Sequence, residues 1–207
     1  MMSYRAIIFD WDGVITDSVN IKTQAFCELY HEYGDTVVNQ VKEYHLAHGG
    51  TSRFDKFRYF HKHFLNITLD ETEVQILAEK FSQLVFDLVI KAPYIKGALE
   101  TIVSEYEKGT LLFVVSGTPT DEIIAIAQAR NVSRYFREIL GSPEKKPAWV
   151  KYILNKYTLD PDKCLFIGDA NEDYYAALEN GLHFLGISPT ADSIFPAGTL
   201  VKQEVIL

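Results

Sequence analysis

Cysteine is scarce: Cys27 and Cys164 are the only two in 207 residues. They stand far apart, without the close spacing of a metal site, which excludes a disulfide framework. They read as two small buried hydrophobes in a reducing cytosol. Positive charge is also short, with 20 Lys and Arg against 28 Asp and Glu and a net charge of −8. That balance argues against a nucleic-acid partner. Long hydrophobic runs are missing. AIIF at 6–9 is too short for a secretory signal and runs at once into two acids, and nothing approaches the roughly 20 apolar residues that span a bilayer. A cytoplasmic protein without membrane contact is expected. Repeats, low-complexity tracts and Pro/Gly-rich linkers are absent too, so any second unit should be docked and hinged, not loosely tethered.

What is present is a rhythm. YRAIIFD (4–10), TLLFVVS (110–116), KCLFIGD (163–169) and HFLGIS (183–188) are short apolar runs, with a weaker one at REIL (137–140). Such runs predict buried parallel strands. Between them lie helical patterns at 94–109, 120–130, 147–157 and 172–181, with Thr120 as an expected cap, Pro147 at a helix start, and Gly109 and Gly181 just past helix ends. From about residue 94 onward the alternation predicts an α/β fold built on a doubly wound parallel sheet. Residues 17–91 break the rhythm. They hold only helical patterns, at 18–33, 38–48, 52–64 and 70–90, which predicts an all-helical insert directly after the first strand.

Ligands of open α/β sheets bind beyond the carboxyl ends of the strands. The first strand ends in Asp10 with Asp12 two residues on. The second ends in Ser116, then Gly117 and Thr118. The third ends in Asp169 with Asp173 four residues on, and Lys145 and Lys146 precede Pro147 at a helix start. Alone, each reads as a turn former, a cap or a solvated pair. Together and in this order they compose a site for phosphoryl chemistry: carboxylates for a cation and for nucleophilic and acid/base work, a hydroxyl and an ammonium for phosphate oxygens.

FDWDGVITDS, VVSGT, KKP and FIGDANED resemble the four motifs of the haloacid dehalogenase-like superfamily, in its usual order, and the helical segment sits where that family inserts a helical cap. The resemblance implies a Rossmann-like core of residues 1–16 and 92–207 and a mobile cap of 17–91. It implies a Mg²⁺-dependent phosphatase acting on a small phosphorylated metabolite through a phospho-aspartate. Asp10 would be the nucleophile and Asp12 the acid/base. Ser116, Gly117 and Lys146 would hold the phosphoryl group. Asp10, the backbone carbonyl of Asp12 and Asp169 would hold the metal, with Asp173 acting through water or orienting a neighbour. Lys145 would lie at the surface.

Asp12 disfavours the dehalogenases and phosphonate-cleaving members, which lack an acid there. DGVITDS and GTSR (Gly50–Arg53) resemble the β-phosphoglucomutases, which carry a cap histidine twelve residues after the nucleophile. Lys22 stands at that position, reads equally well as an exposed helix lysine, and favours a phosphatase over a mutase. A local basic cluster runs from Arg53 to His63. Arg53 and Lys56 could reach the core site and read a second anion on the substrate, or Arg53 could cap a helix or pair with Asp55 or another acid. Arg58 and Lys62 read as a solvated face, with Phe54, Phe57 and Phe64 as the buried one. His61 and His63 do not face each other on a helix, which rules them out as a metal pair. A receiver-like signalling module also uses Asp, Mg²⁺, Ser/Thr and Lys. Its aspartate, however, would lie on a middle strand with no helical insert after the first.

Overall fold

The computed structural model describes residues 4–190 and 194–207. The strands are β1 (Ala6–Phe9), β2 (Leu111–Pro119), β3 (Glu138–Ser142), β4 (Cys164–Gly168), β5 (His183–Ile187) and β6 (Val201–Lys202). They pair in parallel in the order β3-β2-β1-β4-β5-β6. The chain winds outward from β1 in both directions, so the switch point falls between β1 and β4. The five expected strands are all present, though β2 runs three residues further than its apolar run. The two-residue β6 carries no apolar run that could have announced it.

The side chains of β1 alternate between two packed faces, as a strand buried on both sides must. Ile7 and Phe9 join Leu112, Val114, Leu165 and Ile167 on one face. That face is covered by α5 (Ala98–Glu107), α6 (Thr120–Ala129) and residues of the insert. Ala6 and Ile8 join Phe113, Val115 and Phe166 on the other face, under α7 (Lys146–Lys156) and α8 (Asn171–Glu179). Thr120 is not the cap expected of it. It is the first residue of α6, and its hydroxyl accepts from Gly141 N at 2.9 Å, tying β2 to β3. Cys164 is buried, whereas Cys27 is half-buried.

Between β1 and α5 the described chain is helical: α1 (Val19–Leu29), α2 (Asp35–Ala47), α3 (Arg53–Phe60), prolonged by a π turn through Leu65, and α4 (Glu71–Lys91). Asp70 and Glu73 form a reciprocal cap at the start of α4. Phe26, Phe57, Phe60 and Phe81 meet at the centre, with Phe26 and Phe81 ring centroids 4.3 Å apart. Phe57 is buried, while Phe54 and Phe64 are only partly so. The chain enters and leaves this helical unit side by side, held by Asp17 N–Pro93 O at 2.9 Å and Ile95 N–Ile15 O at 3.0 Å. Arg130 from the sheet side donates to Val89 O and Ala92 O and stacks on Tyr94, satisfying carbonyls that the end of α4 leaves open.

Candidate active site

The ends of β1, β2 and β4 bring the expected residues together. Asp10 N donates to Ile167 O at 2.9 Å, which seats the nucleophile candidate beside the switch point. Lys146, at the start of α7, places Nζ 3.0 Å from Asp10 Oδ2 and 2.6 Å from Asp173 Oδ1. Burial works against its charge, but the two carboxylates outweigh it and hold the ammonium protonated. Asp173 Oδ2 in turn accepts from Ala170 N at 3.1 Å. Asp173 thus contacts both Lys146 and the turn after β4. Lys145 is exposed.

One oxygen each from Asp10, Asp169 and Asp173 lie within 4.8 Å of one another. Burial, then the neighbouring Asp10 and Asp173, pushes Asp169 well above the usual carboxylate range. Burial likewise raises Asp10, and it raises Asp173 to about 7. Asp10 Oδ1 is buried with no partner among the described residues. Three crowded carboxylates, one ammonium and an orphaned oxygen suit a divalent cation. Gly13 is obligatory beside this cluster: its φ is +78°, and a Cβ would stand 2.1 Å from Asp169 Oδ2.

Asp12 opens the other half. Ser18 Oγ donates to its Oδ1 at 2.6 Å, and Lys22 Nζ donates to its Oδ2. Burial pushes the Asp12 carboxyl up, but the Lys22 ammonium and these hydrogen bonds outweigh it and hold the group below its ordinary value. Lys22 is therefore not an exposed helix lysine, since α1 carries it into the site, where it also donates to Thr118 Oγ1 at 2.6 Å. Asp10, Asp12, Lys22, Lys56, Gly117 and Asp169 line one cavity, with about 40 Å³ open to the centres of water molecules. Ser116, Gly117 and Lys146 line a second, of about 270 Å³, which shares Thr51 and Gly117 with the first. The Gly50–Thr51 loop is pressed onto the core: a Cβ on Gly117 would meet Gly50 O at 2.9 Å, and Thr51 Oγ1 donates to Glu172 at 2.6 Å.

The sequence profile of the haloacid dehalogenase-like hydrolases matches residues 7–187. The chain belongs to this family. It is 25% identical over 203 residues to the phosphoglycolate phosphatase of Pasteurella multocida, covering 91% of this chain and 87% of that one. It is 30% identical over 129 residues to that of Haemophilus influenzae strain 86-028NP, covering 58% and 56%. The structure of a β-phosphoglucomutase from Clostridium difficile superposes with a TM-score of 0.77 at 20% identity over 99% of this chain and 92% of that one, a likeness of fold. The receiver-like reading falls with this assignment. No helix among the described residues is long and apolar enough to cross a membrane.

In this haloacid dehalogenase-like hydrolase the two basic residues of the insert have different surroundings. Arg53 is buried and grips Glu122 of α6 with both arms, at 2.8 and 2.6 Å, with Ser82 at 2.6 Å and the Phe81 ring beneath. This is the pairing with another acid that the sequence left open. Lys56 is also buried, but it has no carboxylate within ion-pair distance among the described residues and donates to His45 Nδ1 at 2.8 Å. An ammonium only donates, so the neutral ring carries its proton on Nε2, which has no partner among the described residues. His61 bonds Tyr30 and His63 is exposed, while Arg58 pairs with Glu71 at the surface.

Burial, then Lys56 itself, pushes His45 down to about 2, and burial pushes Lys56 down to about 7. Below about pH 7 Lys56 is charged in the folded and unfolded chain alike. Between there and its ordinary value near 10.4 the folded chain releases the proton first, so stability rises with pH across this window. Lys56→Met should therefore melt higher than wild type at about pH 6 and lose that advantage by about pH 10. A gap between the two melting curves that stays constant over this range would show that burial does not disfavour the ammonium.

Sequence reasoning missed Glu122, His45, Ser18 and Thr118 as site residues. Only Ser18 and Thr118 stood within recognised motifs, each as the last residue of its motif, without a role assigned to it. Glu122 lies in an ordinary first helical turn, and nothing in the pattern of α2 distinguishes His45 from a surface histidine.

Proposed function

We propose that this haloacid dehalogenase-like phosphatase hydrolyses a small phosphate monoester in two steps through a phospho-aspartate on Asp10, with Mg²⁺ as cofactor. The observation that carries this reading is the placement of Asp10 and Asp12 on one cavity with Lys146 ion-paired to Asp10. Asp10 attacks phosphorus in line; the phosphate dianion brought beside Asp12 offsets the Lys22 ammonium, so that Asp12 carries a proton in the complex and gives it to the leaving oxygen. Asp12 then takes a proton from the water that opens the phospho-aspartate. Ser116, the Gly117 backbone and Lys146 hold the phosphoryl oxygens as charge spreads over them. Asp10, Asp169 and the backbone carbonyl of Asp12 would hold Mg²⁺, with Asp173 supporting them through Lys146. Bound there, the cation screens the carboxylates from the phosphate dianion.

Residues 17–91 act in this reading as a cap over a core of 1–16 and 92–207, and must lift at the Gly50–Gly117 contact to admit substrate. The relatives named above are phosphoglycolate phosphatases, and a short anionic tail suits Lys56, which points its charge at the cavity without an acidic partner. Arg53 backs that subsite from its pairing with Glu122. The same pairing leaves it poorly placed to read the second phosphate of a mutase substrate, which favours hydrolysis over transfer. The acidic surface fits a cytoplasmic enzyme acting on a free metabolite, with neither nucleic acid nor membrane as partner.

The test is phosphate release from 2-phosphoglycolate and p-nitrophenyl phosphate, with and without Mg²⁺. Exhaustive chelation should abolish release and Mg²⁺ should restore it. Ca²⁺ should inhibit at least about tenfold, because it takes more oxygen ligands at longer range and draws in the Asp10 oxygen that must stay free. Full activity after chelation would remove the metal from the reading.

A further inference from the structure

Lys22 has no part in the chemistry assigned so far, yet its ammonium sits on the general acid. It donates to Asp12 Oδ2 and, at 2.6 Å, to Thr118 Oγ1, and its side chain is only 12% exposed. Ser18 Oγ holds the other Asp12 oxygen at 2.6 Å. The two holders differ: a hydroxyl can donate or accept, whereas an ammonium only donates. A leaving oxygen that approaches Asp12 for its proton therefore meets a fixed cationic donor beside it. Two of the three ammonium protons are engaged by Asp12 and Thr118, and the third remains for a substrate oxygen.

We propose that Lys22 is a catalytic residue of the leaving-group half of the site. It donates a hydrogen bond to the ester oxygen as the P–O bond breaks, and between the two steps it holds Asp12 aligned for the incoming water. The proposal rests on the phospho-aspartate reading. In the first step an Asp10 oxygen bonds to phosphorus. The electron pair of the broken P–O bond stays on the leaving oxygen, and the proton comes from Asp12. In the second step water bonds to phosphorus and gives a proton to Asp12, and the Asp10 carboxylate departs with its electron pair. Lys22 keeps its own proton throughout.

The origin of this side chain adds a consequence. Lys22 comes from α1 in the insert, while Asp10, Asp12 and Thr118 come from the ends of β1 and β2. The leaving-group half is complete only when the insert is seated, as it also is through Thr51–Glu172 and Arg53–Glu122. Seating and bond cleavage are thereby joined through one lysine.

The experiment compares the rate of phosphoenzyme formation, and kcat/KM, in wild type, Lys22→Met and Lys22→Arg. The substrates are p-nitrophenyl phosphate, whose leaving group needs little help, and the alkyl ester 2-phosphoglycolate. A hydrogen bond to a charged donor corresponds to about a 10- to 150-fold change in rate. Lys22→Met should lose that much on the alkyl ester and less than about threefold on the aryl ester. Lys22→Arg, which keeps a cationic donor, should recover most of the loss. A lysine that only seats the insert would slow both esters alike, so equal losses, or none, overturn the proposal while a trapped phosphoenzyme leaves the phosphatase reading standing. If Lys22→Met does not fold, Lys22→Gln carries the same comparison. A wild type that releases phosphate only from the aryl ester also overturns the proposal. Release from neither ester removes the parent reading and this one with it.

Discussion

Replacing Asp10 with asparagine is expected to lower phosphate release by about four orders of magnitude or more while the protein stays folded. An amide is not a nucleophile and brings no charge to the cation. The fold should tolerate the change because it removes one of three crowded acids. Lys146 would keep its 2.6 Å contact with Asp173. The measurement is turnover of purified Asp10→Asn against wild type, with an acid quench to look for label on the protein and a thermal melt to confirm folding. Turnover within about tenfold of wild type would eliminate the phospho-aspartate.

Lys146→Met should damage both stability and activity. Its ammonium is the one cation in ion-pair contact with Asp10 and Asp173 among the described residues. Removing one partner of a buried ion pair typically costs about 3–5 kcal/mol, and losing one donor to the transferring group lowers kcat by about 10²–10³. Asp173, raised to about 7, and Asp169, raised well above its ordinary value by burial and its neighbours, bind protons more tightly in the folded chain than in the unfolded one. Folded-state stability from these groups is present at low pH and lost as pH rises through their folded values. The urea-unfolding deficit of Lys146→Met should therefore shrink as pH falls from about 7 toward 4, and saturating Mg²⁺ should restore part of it at neutral pH. A deficit that ignores both pH and Mg²⁺ would mean that lost packing, not charge, is responsible.

The core of the fold was legible because a parallel strand buried on both faces has no choice but to be an apolar run. The strand order, and with it the switch point between β1 and β4, was not legible, because it lies in which distant runs pair. Asp10, Asp12, Asp169 and Lys146 were legible for a related reason: each stands at a strand end or helix start, where local pattern fixes position. The insert's contributions were harder. Helical periodicity shows which face of α1 or α3 is apolar, but not where that helix lies relative to a site made by residues a hundred positions away. Lys22 thus looked as much like a surface lysine as a site residue. Arg53 could be narrowed only to an anion reader or the partner of some acid. Its actual partner, Glu122, becomes visible only when α3, α4 and α6 are packed together.

The strand order also bears on how the polypeptide assembles. β1 is made first and lies in the middle of the sheet, yet its two neighbours begin only at Leu111 and Cys164. During synthesis AIIF must wait, unpaired, while α1 to α4 emerge. Those helices can gather around Phe26, Phe57 and Phe81 through contacts close in sequence, whereas the sheet depends on distant ones that close slowly. Because Asp169 and Asp173 follow β4, the helical unit can be shaped before the cluster of acids is complete. A half-made chain would hold the helical unit without the cluster of acids.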